Sequence, residues 1–195
     1  MSENRKDWSM ADVSGKAVTH RVAVAGGRIL IDPRDSSRLF VAALGKLYTE
    51  GGQRGVYRSS DGGASWEQVL PGGDWTGAVD LAFKPGDPDT VYAATWERQR
   101  RPWDFVEAGD GSAIWKSTDG GDSWTRLAGG LPQGADVGRI GLAAAPSAPN
   151  IIYAIVEAND EDKGVYRSTD FGERRRFERI SKLDDRELLS AYRGE

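Results

Sequence analysis

Apolar residues in this chain come in short runs of about four to six, bounded by Gly, Pro and Asp, which is the signature of short strands joined by tight turns. Three stretches, Ile29–Leu44, Val79–Thr95 and Ile140–Val156, share one grammar. Each reads as an apolar strand, a proline-centred turn (Asp32-Pro33, Lys84-Pro85, Ala145-Pro146) and a second strand. The second strands are Leu39-Phe-Val-Ala-Ala43, Thr90-Val-Tyr-Ala-Ala94 and Ile151-Ile-Tyr-Ala-Ile155. After each comes a third strand of the Val-Tyr-Arg-Ser type, a Gly-rich turn, and a fourth strand starting near Trp66, Trp124 and Arg176.

The third strand and its turn form a repeat: Gly55-Val-Tyr-Arg-Ser-Ser-Asp-Gly-Gly-Ala-Ser-Trp66, Ala113-Ile-Trp-Lys-Ser-Thr-Asp-Gly-Gly-Asp-Ser-Trp124 and Gly164-Val-Tyr-Arg-Ser-Thr-Asp-Phe-Gly172. The spacing is 58 residues from Asp61 to Asp119 and 51 from Asp119 to Asp170. Four short strands recurring at about 50 residues are the mark of propeller blades. The expectation is an all-β partial propeller of about three four-stranded antiparallel blades, near 28–70, 78–127 and 138–182. A polar extension at 1–17 and a tail at 183–195 flank the 18–182 repeat region.

The repeated turn resembles the Asp box, Ser/Thr-x-Asp-x-Gly-x-Thr/Ser-Trp. Ser59, Asp61, Gly63, Ser65 and Trp66 fit it, as do Ser117, Asp119, Gly121, Ser123 and Trp124. The third copy keeps Ser168, Asp170 and Gly172, with Arg174 and Arg175 where Ser and Trp belong. Such boxes mark propellers similar to sialidases, xyloglucanases and sortilin, and the strand phrases resemble long bacterial sortilin-like or "glycosyl hydrolase" proteins. The resemblance covers roughly residues 18–190 and implies a fold more than an activity, because one fold hosts many functions. In the box, the aspartate accepts backbone N–H groups across the turn, the glycines permit positive φ, and the tryptophan covers the hairpin. One carboxylate per hairpin is too few for a metal, so these residues read as structural.

Composition narrows the class. The chain is 38% apolar and 29% charged, with 25 glycines, seven tryptophans and a net charge of -4. That acidity argues against a nucleic-acid binder, and the basic clusters Arg98–Arg101 and Arg174–Arg176 read as solvated surface. With no cysteine and a single histidine, His20, thiolate chemistry and two-histidine sites are excluded. No apolar run approaches a membrane span. Met1–Asp12 is polar and charged with no signal-peptide core, although relatives of this type are often exported. No cofactor or metal is implied.

Strand alternation puts the turns between first and second strands on one face with the boxes. The variable connections 44–54, 71–77, 96–112, 128–137 and 157–163 lie on the other, where the resemblance places ligand sites. The longest, 96–112, carries Trp96 and Trp103, and with Trp75 it offers an aromatic platform for a sugar or peptide; packing of the same rings onto their own blade is the alternative. Arg28, Asp80 and Arg139 lie an odd number of residues before the turn prolines, and so share a face. They read either as a site for an anionic or hydroxylated ligand or as inter-blade salt bridges. The acidic loop Glu157–Asp162 reads as a solvated turn.

Catalysis would require two placed carboxylates, or a tyrosine nucleophile with an acid and an arginine cluster. Asp80 is the candidate acid, with Asp104 and Asp136 as companions, and the Arg-Ile-Pro phrase of true sialidases is absent. The sequence therefore favours a binding or interaction scaffold for a glycan, peptide or protein, probing as its alternative a segment of a sialidase- or xyloglucanase-like glycosidase. Closed propellers use 4–8 blades. Three blades, with Lys16–Val24 and Leu183–Gly194 as the nearest thing to caps, point to further blades or to self-association.

Overall fold

The computed structural model describes residues 28–172 and 176–182. Lys16–Val24, His20, Arg174, Arg175 and Leu183–Gly194 lie outside them. Among the described residues all regular structure is β-strand, arranged as three four-stranded antiparallel meanders. The first blade is β1 (Ile29–Asp32), β2 (Asp35–Ala43), β3 (Gly55–Ser59) and β4 (Glu67–Pro71). The second is β5 (Thr76–Lys84), β6 (Asp87–Glu97), β9 (Ala113–Ser117) and β10 (Thr125–Leu127). A separate two-stranded ribbon, β7 (Gln99–Arg101) and β8 (Asp104–Val106), is inserted between β6 and β9. The third blade is β11 (Ile140–Ala144), β12 (Ile152–Val156), β13 (Gly164–Ser168) and β14 (Glu178–Lys182).

The pairing aligns the blades residue by residue. Leu39, Val91 and Ile152 stand opposite Ser59, Ser117 and Ser168, so Phe40, Tyr92 and Tyr153 are equivalent. Side chains alternate along a strand, and the second blade is buried on both faces. Val91 and Ala93 pack toward the first blade with Phe40, Ala42 and Val56. Tyr92, Ala94 and Ile114 pack toward the third with Ile152, Ala154 and Val156. This is why β6 lacks a polar alternation: a blade with a neighbour on each side has no solvent face. Fully burying each large side chain here contributes roughly 1.5–3 kcal/mol.

The contact between blades is aromatic on glycine. A Cβ on Gly121 would come within 2.9 Å of the Phe40 ring, and one on Gly172 would overlap the Tyr92 hydroxyl. Both glycines also hold positive φ, +93° and +66°. The preceding residue is Gly62 or Gly120 in the first two hairpins, and Phe171 in the third, at φ +51°. A bulky residue there is strained by about 1–3 kcal/mol. Phe171 is fully buried, edge-on to Tyr92 with centroids 5.0 Å apart, and its carbonyl accepts the Tyr92 hydroxyl. That packing offsets the strain.

Polar ties reinforce the first seam. Arg34 and Arg38 of the first blade bond both Asp32 and, across the seam, Asp89 at 2.7–2.9 Å. Substituting Gly121 tests the aromatic contact. Gly86 shares its positive φ but has nothing within 4 Å of an added Cβ, so Gly86→Ala is expected to cost only backbone strain, about 1–2 kcal/mol. Gly121→Ala should add a further 1–3 kcal/mol or so of overpacking, read as a lower urea midpoint at unchanged slope.

Candidate functional site

The repeated turns close through their own side chains. Ser59 Oγ accepts Gly63 N at 2.9 Å and donates to Asp61 Oδ1 at 2.8 Å, while Asp61 accepts Ser65 N at 2.9 Å and Ser65 Oγ at 2.6 Å. Ser117, Asp119, Gly121 and Ser123 repeat the pattern at 2.5–2.9 Å. The tryptophans close the loop from outside: Trp66 Nε1 donates to Gly63 O and Trp124 Nε1 to Gly121 O, each at 3.1 Å. In the third copy Ser168 bonds Asp170 Oδ1 and Gly172 N at 2.8 Å. A cleft of about 510 Å³ opens on this face, lined by Arg38, Arg58, Trp66, Asp89 and Asp119.

Asp80 joins three blades. A bulge at Val79 in β5 shifts its register against β6 and re-aims the carboxylate. Oδ1 accepts the Leu81 amide at 2.9 Å and lies 3.5 Å from Arg28 Nε of the first blade. Oδ2 accepts the Leu142 amide of the third blade at 2.8 Å. Arg28 also donates to Leu81 O at 3.3 Å. By register the third-blade equivalent of Arg28 and Asp80 is Gly141, not Arg139: Arg28 N-terminal to β1 bonds Ala42, Asp80 pairs with Ala94, and Gly141 pairs with Ile155. Arg139 sits two residues nearer the loops, opposite Glu157.

The 96–112 connection is more ordered than a loop. Trp96 belongs to β6, paired with Gly77, and the ribbon β7–β8 follows. Trp96 Nε1 donates to Glu107 O at 2.6 Å, and its ring meets Phe105 edge-on at 6.4 Å. The guanidinium of Arg98 lies 5.2 Å from the Trp96 centroid and that of Arg139 6.0 Å, within cation–π range. Neither guanidinium has a carboxylate partner among the described residues, and Arg98 Nε is buried without a hydrogen bond. Burial, and then the charges of Arg54 and Arg139, hold Arg98 below the usual arginine range. Trp103 is apart from this group, at the ribbon turn and 80% exposed. Trp75 packs under Arg54, whose guanidinium is 6.0 Å from its ring. Trp103 thus stands away from Trp96, while Trp75 faces Arg54 and its carbonyl accepts the Arg98 amide.

Arg54 is a residue that sequence reasoning passed over. It is 1% exposed and donates to the carbonyls of Leu44, Lys46, Thr49 and Gly51 at 2.6–2.9 Å, so one side chain shapes the 44–54 loop. Burial lowers its pKa, and the four acceptors make the buried charge tolerable. Asp104 and Asp136 are exposed, and no bond joins either to Asp80. In the acidic loop, Asn159 Oδ1 accepts the Glu161 and Asp162 amides at 3.0 Å, which makes it an Asx turn.

No family model matches the chain. A curated xyloglucanase of Hypocrea jecorina (strain QM6a) is 31% identical over 134 residues, covering 60% of this chain and 14% of the relative. An ancestral GH74 enzyme of known structure superposes with TM-score 0.58 and 25% identity, over 82% of this chain and 19% of its own. A GH74 xyloglucanase from Xanthomonas campestris gives TM-score 0.53 and 19% identity, over 80% of this chain and 23% of its own. The chain is a partial β-propeller. It spans less than a quarter of each of these relatives.

Within this propeller the turn aspartates carry a pH signature. The Ser65 hydroxyl first, then the Ser65 amide and Ser59, lower the Asp61 pKa from 3.8 to about 2; Ser123 and Ser117 do the same for Asp119. A carboxyl depressed in the folded state contributes stability above its unfolded pKa and loses it as pH falls through the folded one. The unfolding temperature is therefore expected to drop between about pH 4 and pH 2. An Asp61→Asn, Asp119→Asn double variant should start lower near neutrality and fall less steeply over that window, as followed by circular dichroism.

Proposed function

We propose that this chain is a non-catalytic binding segment of a larger propeller, of the Asp-box type, and that its ligand surface is the ribbon side, around Trp96, Arg98, Trp103 and Arg139. The observation that carries this reading is the gathering, at the half-buried Trp96 ring, of two guanidiniums that among the described residues lack carboxylate partners, with the exposed Trp103 on the neighbouring ribbon turn. Flat apolar rings and multiple N–H donors suit a hydroxylated or carboxylate-bearing ligand, and the xyloglucanase similarity favours a glycan over a peptide. Bonding within the repeated turns supports the Asp-box assignment and a structural role for Asp61 and Asp119.

A second reading, a segment of a xyloglucan-cleaving enzyme, rests on the 31% identity to the curated xyloglucanase. Against it stands Asp80, the candidate acid, whose two oxygens are engaged by Arg28, Leu81 and Leu142. A glycosidase needs a second carboxyl about 5–9.5 Å away, and under this reading that group would come from another part of the protein.

Titration with xyloglucan oligosaccharides, followed by tryptophan fluorescence and reducing-sugar release, separates the two. The expected result is saturable quenching without sugar release. Trp103→Ala and Arg139→Ala should each weaken binding by roughly 5- to 30-fold, and Trp66→Ala, on the opposite face, should leave it unchanged at matched stability. Sugar release abolished by Asp80→Asn in a folded protein would establish the enzyme reading instead.

A further inference from the structure

Each seam uses one set of four side chains. From the first blade Phe40, Ala42, Val56 and Arg58 share the face turned to the second blade, by the pairing of Phe40 with Arg58 and Ala42 with Val56. From the second, Tyr92, Ala94, Ile114 and Lys116 share the face turned to the third. The aromatic lands on the next hairpin's glycine, Gly121 or Gly172. The cation donates to the carbonyl just before that glycine: Arg58 Nη1 to Gly120 O at 2.8 Å, and Lys116 Nζ to Phe171 O at 3.1 Å.

The third blade carries the same set, with no further described blade stacked on it. Tyr153 pairs with Arg167 and Ile155 with Val165, so the four share the outward face. Ile155 is 44% exposed where its counterpart Ala94 is fully buried. Arg167 makes no hydrogen bond or ion pair among the described residues, and its Nε is buried. It borders a hollow of about 420 Å³ lined by Thr169, Asp170, Arg176 and Glu178. The first blade holds the complementary half. An added Cβ on Gly63 would meet only Trp66 and Leu39 of its own blade, and one on Gly62 would meet nothing within 4 Å. Beside this open hairpin, Ile29 and Ile31 pair with Val41 and Leu39 on the face turned away from the second blade, and Ile31 is 58% exposed.

The geometry points to a second copy of this chain as the occupant. The third-blade face of one copy docks on the first-blade hairpin of the next, Tyr153 over Gly63 and Arg167 on the Gly62 carbonyl, in continuation of the two seams already formed within the chain. The contact is head-to-tail, with different surfaces on the two partners. Its apolar part, Ile29, Ile31 and Ile155, is of the kind that exposed patches on soluble proteins use for association.

Sedimentation equilibrium over a wide concentration series tests this with wild type and three variants. Wild type should rise in mass with concentration. Ile31→Glu blocks the hairpin side and Ile155→Glu the donor side; both positions are exposed, so unfolding temperatures should match wild type. Each variant alone should associate at least about tenfold more weakly, since either contact now buries an unpaired carboxylate. Mixed together, the two should form a heterodimer and stop there, because one intact face remains on each. Arg167→Ala should weaken wild-type association without affecting stability. A wild type monomeric throughout, which would leave the faces to some other partner, overturns the proposal. So do single variants that associate as wild type does, or a mixture that yields no heterodimer.

Discussion

The contact of a strand-borne aromatic ring with the glycine of the neighbouring hairpin governs this molecule. Phe40 can reach the second blade, and Tyr92 the third, only because Gly121 and Gly172 lack a Cβ. The turn that provides the glycine must also place it, which is the work of the Ser–Asp bonding within the hairpin and of the serine hydroxyl that accepts the glycine amide. A motif that looks local, a few residues closing a tight turn, is therefore the receiving half of a tertiary contact. Phe171 shows how strongly this position is determined: a bulky residue is held at positive φ because its ring is enclosed against Tyr92.

The polar residues divide between seams and loop surface along the same lines. Asp80, Arg28, Arg58 and Lys116 are spent on neighbouring blades, with their charges directed at amides, carbonyls and one another. Arg54 is likewise enclosed, though within a loop. Arg98 and Arg139 are different. They gather at Trp96; among the described residues neither pairs with a carboxylate, and burial followed by the charges of Arg54 and Arg139 lowers the Arg98 pKa. The described residues thus neutralise charge at the seams and gather cations beside one ring, and the proposed ligand surface rests on that contrast.

Much of the fold was legible because the blade is a repeat whose strands, turns and prolines recur at matching positions. Short range sets the turn chemistry, so Asp61 and Asp119 could be assigned to hairpins from spacing alone. The site was less legible. Strand counting placed Arg28, Asp80 and Arg139 on a common face, but the bulge at Val79 and the register at Gly141 decide which of them meet. Counting also treated 96–112 as a loop, whereas backbone pairing makes it a strand end and a ribbon, separating Trp96 from Trp103. Nothing in the spacing of Arg54 distinguishes it from a surface arginine; only its four carbonyl partners do.

The sequence by itself determined the unit: four strands, a proline turn, a Ser-x-Asp-x-Gly hairpin, and their repetition. These follow from backbone propensity and bonding between residues a few positions apart, which need no knowledge of the rest of the chain. The tertiary structure decided how units meet and which side chains are consumed in meeting. Those outcomes depend on distances between residues some 50 to 80 positions apart, such as Arg28 to Leu81, Arg58 to Gly120 and Tyr92 to Phe171. A shift of one residue in register turns every side chain of a strand to the other face, so partners at that range are settled only when the blades pack.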